Sequence, residues 1–275
     1  MKKLNDGEYF GSHKQKTQYN DFIITDTEYT HKKVDWHYHE NSYFTYLLEG
    51  KLYEENKKES QYLSPGSLLF HNWQDAHYNI KPPEYTRGFH IELNKKWFDK
   101  YDISPIHFEG SINLQSPLIK EIMNKIFFET KINDPDSQLS MDMLLLDIFN
   151  KINQLENTKQ SKNPTWVKKL TEILKKEPEL CSSLPNISKI LDIHPVHLSR
   201  EFPKYFHTTL GDYIRKVKVN TAILLMTDKN LSMTQIGYAS GFYDQSHFIA
   251  SFKRMYNCTP SKFKKQISNV NFIQF

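Results

Sequence analysis

The stretch GFYDQSHFIASFKRMYNCTPSKFKK, Gly241 to Lys265, decides how the chain reads. A glycine and then Asp244, placed as an N-cap, precede a helical run in which Phe248 and Phe252 repeat at a spacing of four. Lys253 and Arg254 follow directly and add positive charge to that helix. Upstream, Ser232 stands as an N-cap before Met233-Thr234-Gln235-Ile236, and this shorter helix ends at Gly241. Two short helices joined by a tight turn form a helix-turn-helix pattern.

The pattern occurs twice. Leu184, Ile187, Ile190 and Leu191 form one apolar helical face, Asp192-Ile193 breaks it, and His194-Pro195 starts the next helix with proline at its first position. Leu198, Phe202 and Phe206 continue at a spacing of four, with Arg200 and Lys204 off the apolar face. The two turn positions, Asp192 and Gly241, lie 49 residues apart. Between the units, Tyr213, Ile214, Val217 and Leu224-Leu225 predict a connecting helix over Gly211 to Met226. Pro203 falls inside the first unit's second helix. A mid-helix proline removes a backbone bond and costs roughly 3 kcal/mol, so a kink or shortening is expected there, with Lys204 displaced.

These residues resemble the AraC family of bacterial transcription regulators. The match rests on Ile236, Gly241-Phe242, Gln245-Ser246, Phe248, Phe252-Lys253, Thr259-Pro260 and Phe263, and in the first unit on Leu198-Ser199-Arg200 and Phe202. It spans about 100 residues, Trp166 to Gln266. Ser188 and Gly237 replace the alanine usual in each first helix, and both are small enough for close packing. Asp192 replaces a turn glycine, and aspartate tolerates the left-handed conformation better than most residues. The resemblance implies two recognition helices in the major groove of double-stranded DNA, with their N-terminal residues at the base edges. Val196, Ser199 and Arg200 are the expected base contacts of the first unit. Gln245, Ser246, His247 and Ala250 are those of the second. Lys204, Lys253, Arg254 and Lys262 are expected near phosphates.

Charge and texture change outward from this region. Pro164 to Phe275 holds 16 Lys+Arg against 8 Asp+Glu, whereas residues 1–163 are net acidic. A basic last part fits a polyanionic partner. Residues 20–95 are rich in Tyr, Phe and Thr. They are broken by Glu49-Gly50, Ser64-Pro65-Gly66 and Lys81-Pro82-Pro83, which predicts short strands such as Tyr43–Leu48, Leu68–Phe70 and Gly88–Leu93. Leu118, Ile119, Ile122, Met123 and Ile126 then fall at helical spacing. Met141, Leu145, Ile148, Ile152 and Leu155 form a heptad-like stripe, read as the seam of a homodimer. Glu156–Pro164 reads as a linker. The expected fold is therefore a mainly β unit over residues 1–110, a helical connector over 111–156, a linker over 157–164 and an all-α domain over 165–267.

Within the β unit, His37 and His39 in Trp36-His37-Tyr38-His39 face the same side of a strand. Together with Gly50, Pro65-Gly66 and His77 they resemble the pattern of a small cupin-type β-barrel. The glutamate ligand of that pattern would fall near Tyr43 and is missing, and Glu40 would point away. Trp36, His37, His39, Tyr43 and His77 are the expected effector pocket. Three histidines without a carboxylate can still hold zinc or another divalent metal, or simply line the barrel. The expectation drawn from Tyr43 is that no metal or cofactor is bound.

Composition excludes other classes. Charged residues make up 25% of the chain and apolar residues 38%, a globular balance. No apolar run approaches the roughly 20 residues of a membrane span. Cys181 and Cys258 form no disulfide framework or cysteine metal motif, and a cytoplasmic location is expected. The resulting expectation is a non-enzymatic, sequence-specific DNA-binding regulator, controlled by a small-molecule effector and touching RNA polymerase. The rival classes are a metal-dependent cupin enzyme with a DNA-binding tail and an effector-independent architectural DNA binder.

Overall fold

The computed structural model describes residues 1–104, 110–132, 134–159, 163–176 and 183–268. The chain divides into two compact units, Met1–Leu114 and Gln115–Phe275.

The first unit is built from two sheets. One joins β1 (Lys2–Leu4), β4 (Lys33–His39), β9 (His77–Ile80), β6 (Leu52–Asn56) and β7 (Ser60–Leu63) in that order. The other runs β11 (Ser111–Asn113), β8 (Leu68–His71), β5 (Ser42–Glu49), β10 (Arg87–Leu93), β3 (Phe22–Tyr29) and β2 (Gly11–Gln18). All neighbouring strands are antiparallel except β1 with β4. Alternation sorts the side chains, since residues two apart share a face. Phe22, Phe44, Phe70 and Phe89 are fully buried, and so is Trp97 on the short helix α1 (Lys95–Lys100), which Asn94 caps. Buried Arg87 makes a two-pronged ion pair with Asp26, at 2.7 Å to each oxygen. The β unit runs to Leu114 rather than ending at residue 110, because β11 pairs with β8 and Leu114 donates to the Leu68 carbonyl at 2.8 Å.

The second unit is helical: α2 (Pro117–Ile132), α3 (Ser137–Lys159), α4 (Thr165–Lys176), α5 (Leu184–Leu191), α6 (Pro195–Phe206), α7 (Leu210–Leu225), α8 (Met233–Ala239), α9 (Gln245–Tyr256) and α10 (Pro260–Ser268). Helix α3 continues to Lys159, into the segment expected as linker from 157; residues 160–162 lie outside the described ones. The stripe read as a dimer seam is corrected by burial. Met141, Leu145 and Ile148 are 0% exposed and Ile152 is 2% exposed in a single chain. Helix α3 packs along α2, so these side chains already have partners. An amphipathic helix needs an apolar stripe for its own core just as a coiled coil needs one for a second chain. The side chain of Leu155 lies outside the described residues.

The two helix-turn-helix units close alike. Asp192 adopts a left-handed φ of 56°, and Ile193 N–H reaches back to the Ser188 carbonyl at 3.1 Å. Gly241 adopts φ 84°, and Phe242 N–H reaches the Gly237 carbonyl at 3.1 Å. A Cβ at Gly237 would meet the Phe248 ring at 3.2 Å, which explains the demand for a small residue. Pro203 does not shorten α6, which runs on to Phe206 with the His207 N–H bonded to the Pro203 carbonyl. The loss there is one backbone donor in the last turn, where Lys204 stands exposed.

Candidate nucleic-acid interface and ligand pocket

Each recognition helix begins at a cap that points its first residues outward. Asp244 accepts from the His247 N–H at 2.7 Å at the start of α9. Ser232 and Gln235 form a reciprocal capping box at the start of α8. His194 caps α6 more weakly, its Nδ1 accepting from the Val196 N–H at 3.3 Å. Leu198, Phe202, Phe248 and Phe252, all 0% exposed, anchor the inner faces. The opposite faces are open. Val196, Ser199, Arg200 and Lys204 are exposed on α6; Gln245, Ser246, His247, Ala250, Lys253 and Arg254 are exposed on α9; Lys262 is exposed on α10.

The two faces differ in charge pairing. On α6, Glu201 takes a bond from Arg200 Nε at 3.3 Å and one from Lys204 Nζ at 2.7 Å. The Lys204 bond holds the Glu201 carboxyl below its usual range. On α9, Lys253 and Arg254 have no ion-pair partner among the described residues. Tyr243, 91% exposed directly before the Asp244 cap, was not predicted as a contact. The signal available in the sequence is an aromatic residue in the turn with no spacing to tie it to a core.

In the β unit, the predicted pocket forms between the two sheets as a cavity of about 40 Å³. His37, His39, Tyr43 and His77 line it; Trp36 does not. Trp36 is 38% exposed and meets Tyr78 edge-on outside, on the face of β4 opposite His37 and His39. Sequence reasoning missed Glu54, Tyr9, Tyr29 and His90, which also line the cavity. Parity along β6 was the signal for Glu54, since Leu52, Glu54 and Asn56 share the buried face.

The imidazoles present lone pairs inward. His37 Nδ1 lies 2.9 Å from the Asp35 carbonyl and His77 Nδ1 lies 2.9 Å from the Asp75 carbonyl. A carbonyl only accepts, so each Nδ1 carries the hydrogen, and in a ring without a second proton Nε2 is an acceptor. The Tyr43 hydroxyl and His77 Nε2 are hydrogen-bonded at 3.1 Å. Burial, and then the neighbouring His77, pushes His37 down to about 3. The same two causes, in the same order, hold His39 well below the usual imidazole range. His39 Nδ1 is buried without a hydrogen-bond partner. Ring nitrogens of His37, His39 and His77 all lie within 4.8 Å of one another. Three ring nitrogens this close suit a divalent cation despite the missing carboxylate at Tyr43, and the Tyr43 hydroxyl on His77 Nε2 would have to give way to it.

Behind this set, His71 Nδ1 meets Ser111 Oγ at 2.9 Å, and Ser111 Oγ donates to Asp75 Oδ2 at 2.8 Å. The buried Glu54 Oε1 and His71 Nε2 face each other at 3.7 Å, and neither has a hydrogen-bond partner. Burial raises the Glu54 carboxyl and lowers the His71 imidazole, so both are held toward their neutral forms.

Comparison with known proteins places the second unit. A helix-turn-helix domain family matches residues 187–266. The probable transcription factor PqrA of Proteus vulgaris is 36% identical over 69 residues, covering 25% of this chain and 57% of that protein. The urease operon transcriptional activator of Escherichia coli is 32% identical over 111 residues, covering 38% of this chain and 36% of that one. The chain thus spans little more than half of one of these relatives and about a third of the other. A solved structure of ToxT from Vibrio cholerae with bound unsaturated fatty acid covers 92% of this chain and 98% of its own, at 15% identity and a TM-score of 0.35. The chain carries a helix-turn-helix domain over residues 187–266. Among the described residues, no helix is long and apolar enough to cross a membrane.

Proposed function

We propose that this chain is a sequence-specific, double-stranded-DNA-binding transcription regulator that reads two major-groove segments with α6 and α9. Its β-unit cavity takes a small ligand that sets DNA affinity. One observation carries the reading: two independently capped recognition helices, each anchored by buried aromatic or leucine side chains, present their first turns to solvent. Arg200 suits a bidentate contact to guanine and Gln245 one to adenine, while Lys204, Lys253, Arg254 and Lys262 suit phosphates.

The cavity narrows the ligand. About 40 Å³ holds a few waters or one ion, because a single water already needs roughly 10–15 Å³. An organic effector the size of a sugar does not fit it as it stands. Clustered imidazole nitrogens beside Glu54 favour a divalent cation, with His37, His39 and His77 holding it. Such an ion supplies a fixed positive charge that ties β4 to β9. A homodimer and contact with RNA polymerase belong to the same proposal, but a second copy would have to use a face other than the buried α3 stripe.

Selection of duplexes from a random-sequence pool tests the reading. The expected result is an enriched site with two segments roughly 10 bp apart, bound with affinity that falls steeply as salt rises. No duplex binding at low salt overturns it. For the cavity, Zn²⁺ is expected to shift affinity for the selected site in the wild type but not in His37→Ala or His77→Ala. An equal shift in all three chains overturns the ligand assignment.

A further inference from the structure

Helix α2 follows the last strand of the β unit in sequence, yet it packs extensively on α7 and α10 as well as on α3. Asn124, 0% exposed, donates its amide to the Asn220 carbonyl oxygen on α7 at 3.0 Å. The Asn220 amide in turn donates to the Pro117 backbone carbonyl, at 3.0 Å, at the start of α2. The Glu121 carboxylate accepts from Lys216 of α7 and from Lys125, one turn further along α2. Burial pushes this carboxyl up, but the two lysines more than offset that and hold it below its usual range. The Tyr256 hydroxyl at the end of α9 approaches the Glu121 carbonyl at 3.5 Å, and Phe263 of α10 stacks flat on Phe128 at 4.5 Å.

Apolar contacts tolerate sliding; this polar set does not. A shift of one residue along α7 separates Asn124 from Asn220 and leaves buried amides unpaired. Buried polar pairs of this kind fix register in packed helices. The first reading half has its own core, in which Leu170 and Leu174 of α4 and Ile187, Leu191, Leu198 and Phe202 of α5 and α6 meet Leu210 and Tyr213 at the start of α7. The α2 contacts fall on the later part of α7 and on the second half.

We propose that α2 is a register-fixing clamp on the second reading half. Asn124, Asn220 and Glu121 act as positioning residues for base reading by α9, and reading by α6 does not depend on them. This rests on the assignment of α6 and α9 as DNA readers.

The test uses the full chain on a duplex selected from a random pool by the wild type. Arg200→Ala and Gln245→Ala first map which segment each helix reads; if neither changes base preference, the reader assignment itself has failed. Hydroxyl-radical footprints are then compared for Asn124→Ala and for the milder Lys216→Gln, which keeps the asparagine pair. The expected result is weakened protection of the α9 segment, about tenfold in Asn124→Ala and less in Lys216→Gln, with the α6 segment unchanged. Amides of α9 and α10 should also exchange faster in Asn124→Ala while those of α5 and α6 do not. Equal weakening at both segments, or no weakening at the α9 segment in a folded Lys216→Gln and a folded Asn124→Ala, overturns the proposal. Should Asn124→Ala fail to fold, an α9-confined loss in Lys216→Gln supports the proposal and its absence overturns it.

Discussion

The two helix-turn-helix units share an architecture and differ in what holds it. The first turns on an aspartate forced into the left-handed region, starts its recognition helix on a weak histidine cap, and binds its exposed cations to its own Glu201. The second turns on a glycine, opens with a capping box and an aspartate cap, and leaves Lys253 and Arg254 without ion pairs among the described residues. A shared fold thus specifies where side chains point, while electrostatic readiness is set separately by one or two neighbours on the helix.

The sharpest way to break this comparison is at the cores. Phe202→Ala and Phe248→Ala each remove a 0% exposed ring, and losses of about 3–5 kcal/mol are expected. Hydrogen exchange should show the opening centred on α5–α6 in the one and on α8–α9 in the other. Identical exchange patterns would mean that the halves are a single cooperative core.

Base reading comes next. Arg200→Ala and Gln245→Ala are each expected to lose roughly 1–3 kcal/mol on the selected site, with little change on random duplex. Binding titrations on both DNAs check this, and equal loss on both would reassign the residue to phosphate contact.

The turns should respond with opposite signs. Gly241→Ala places a Cβ at φ 84°, where the nearest atom is a flexible Lys218 methylene at 3.5 Å. Conformation rather than crowding then sets the cost, about 1–2 kcal/mol. Asp192→Gly relieves that strain and should raise stability by a smaller amount. Chemical denaturation of both variants reads the difference, and loss in both would show that Asp192 is held by something other than tolerance of its φ.

The smallest effect is expected at Glu201→Gln. Freeing Arg200 and Lys204 should raise affinity for random duplex a few-fold and steepen its salt dependence. An unchanged salt slope would show that Glu201 does not compete with phosphate.

Legibility in the sequence followed the range of the interactions. The second unit could be read because its caps, turn glycine and phenylalanine spacing are contacts between residues a few positions apart. The pocket was half legible: His37 and His39 share a strand face, but Glu54 and His90 arrive from other strands, and only pairing brings them together. Trp36 was misplaced because aromatic content was read without strand parity. The α3 stripe was legible as a stripe and misread as to partner, since its periodicity is the same whether the other helix belongs to this chain or to a second one. Asn124 and Asn220, 96 positions apart, gave no local signal at all.

Strand β11 is three residues long and sits at the edge of its sheet, paired only with β8. A segment held by so few ladder bonds separates by local opening at a small fraction of the free energy of global unfolding. Its Ser111 is nevertheless bonded to His71, next to the cavity. Local opening of β11, with both units still folded, is therefore expected. Its population would depend on how firmly Ser111 is held, so the amide exchange rate of Ile112 would gauge cavity occupancy without DNA present.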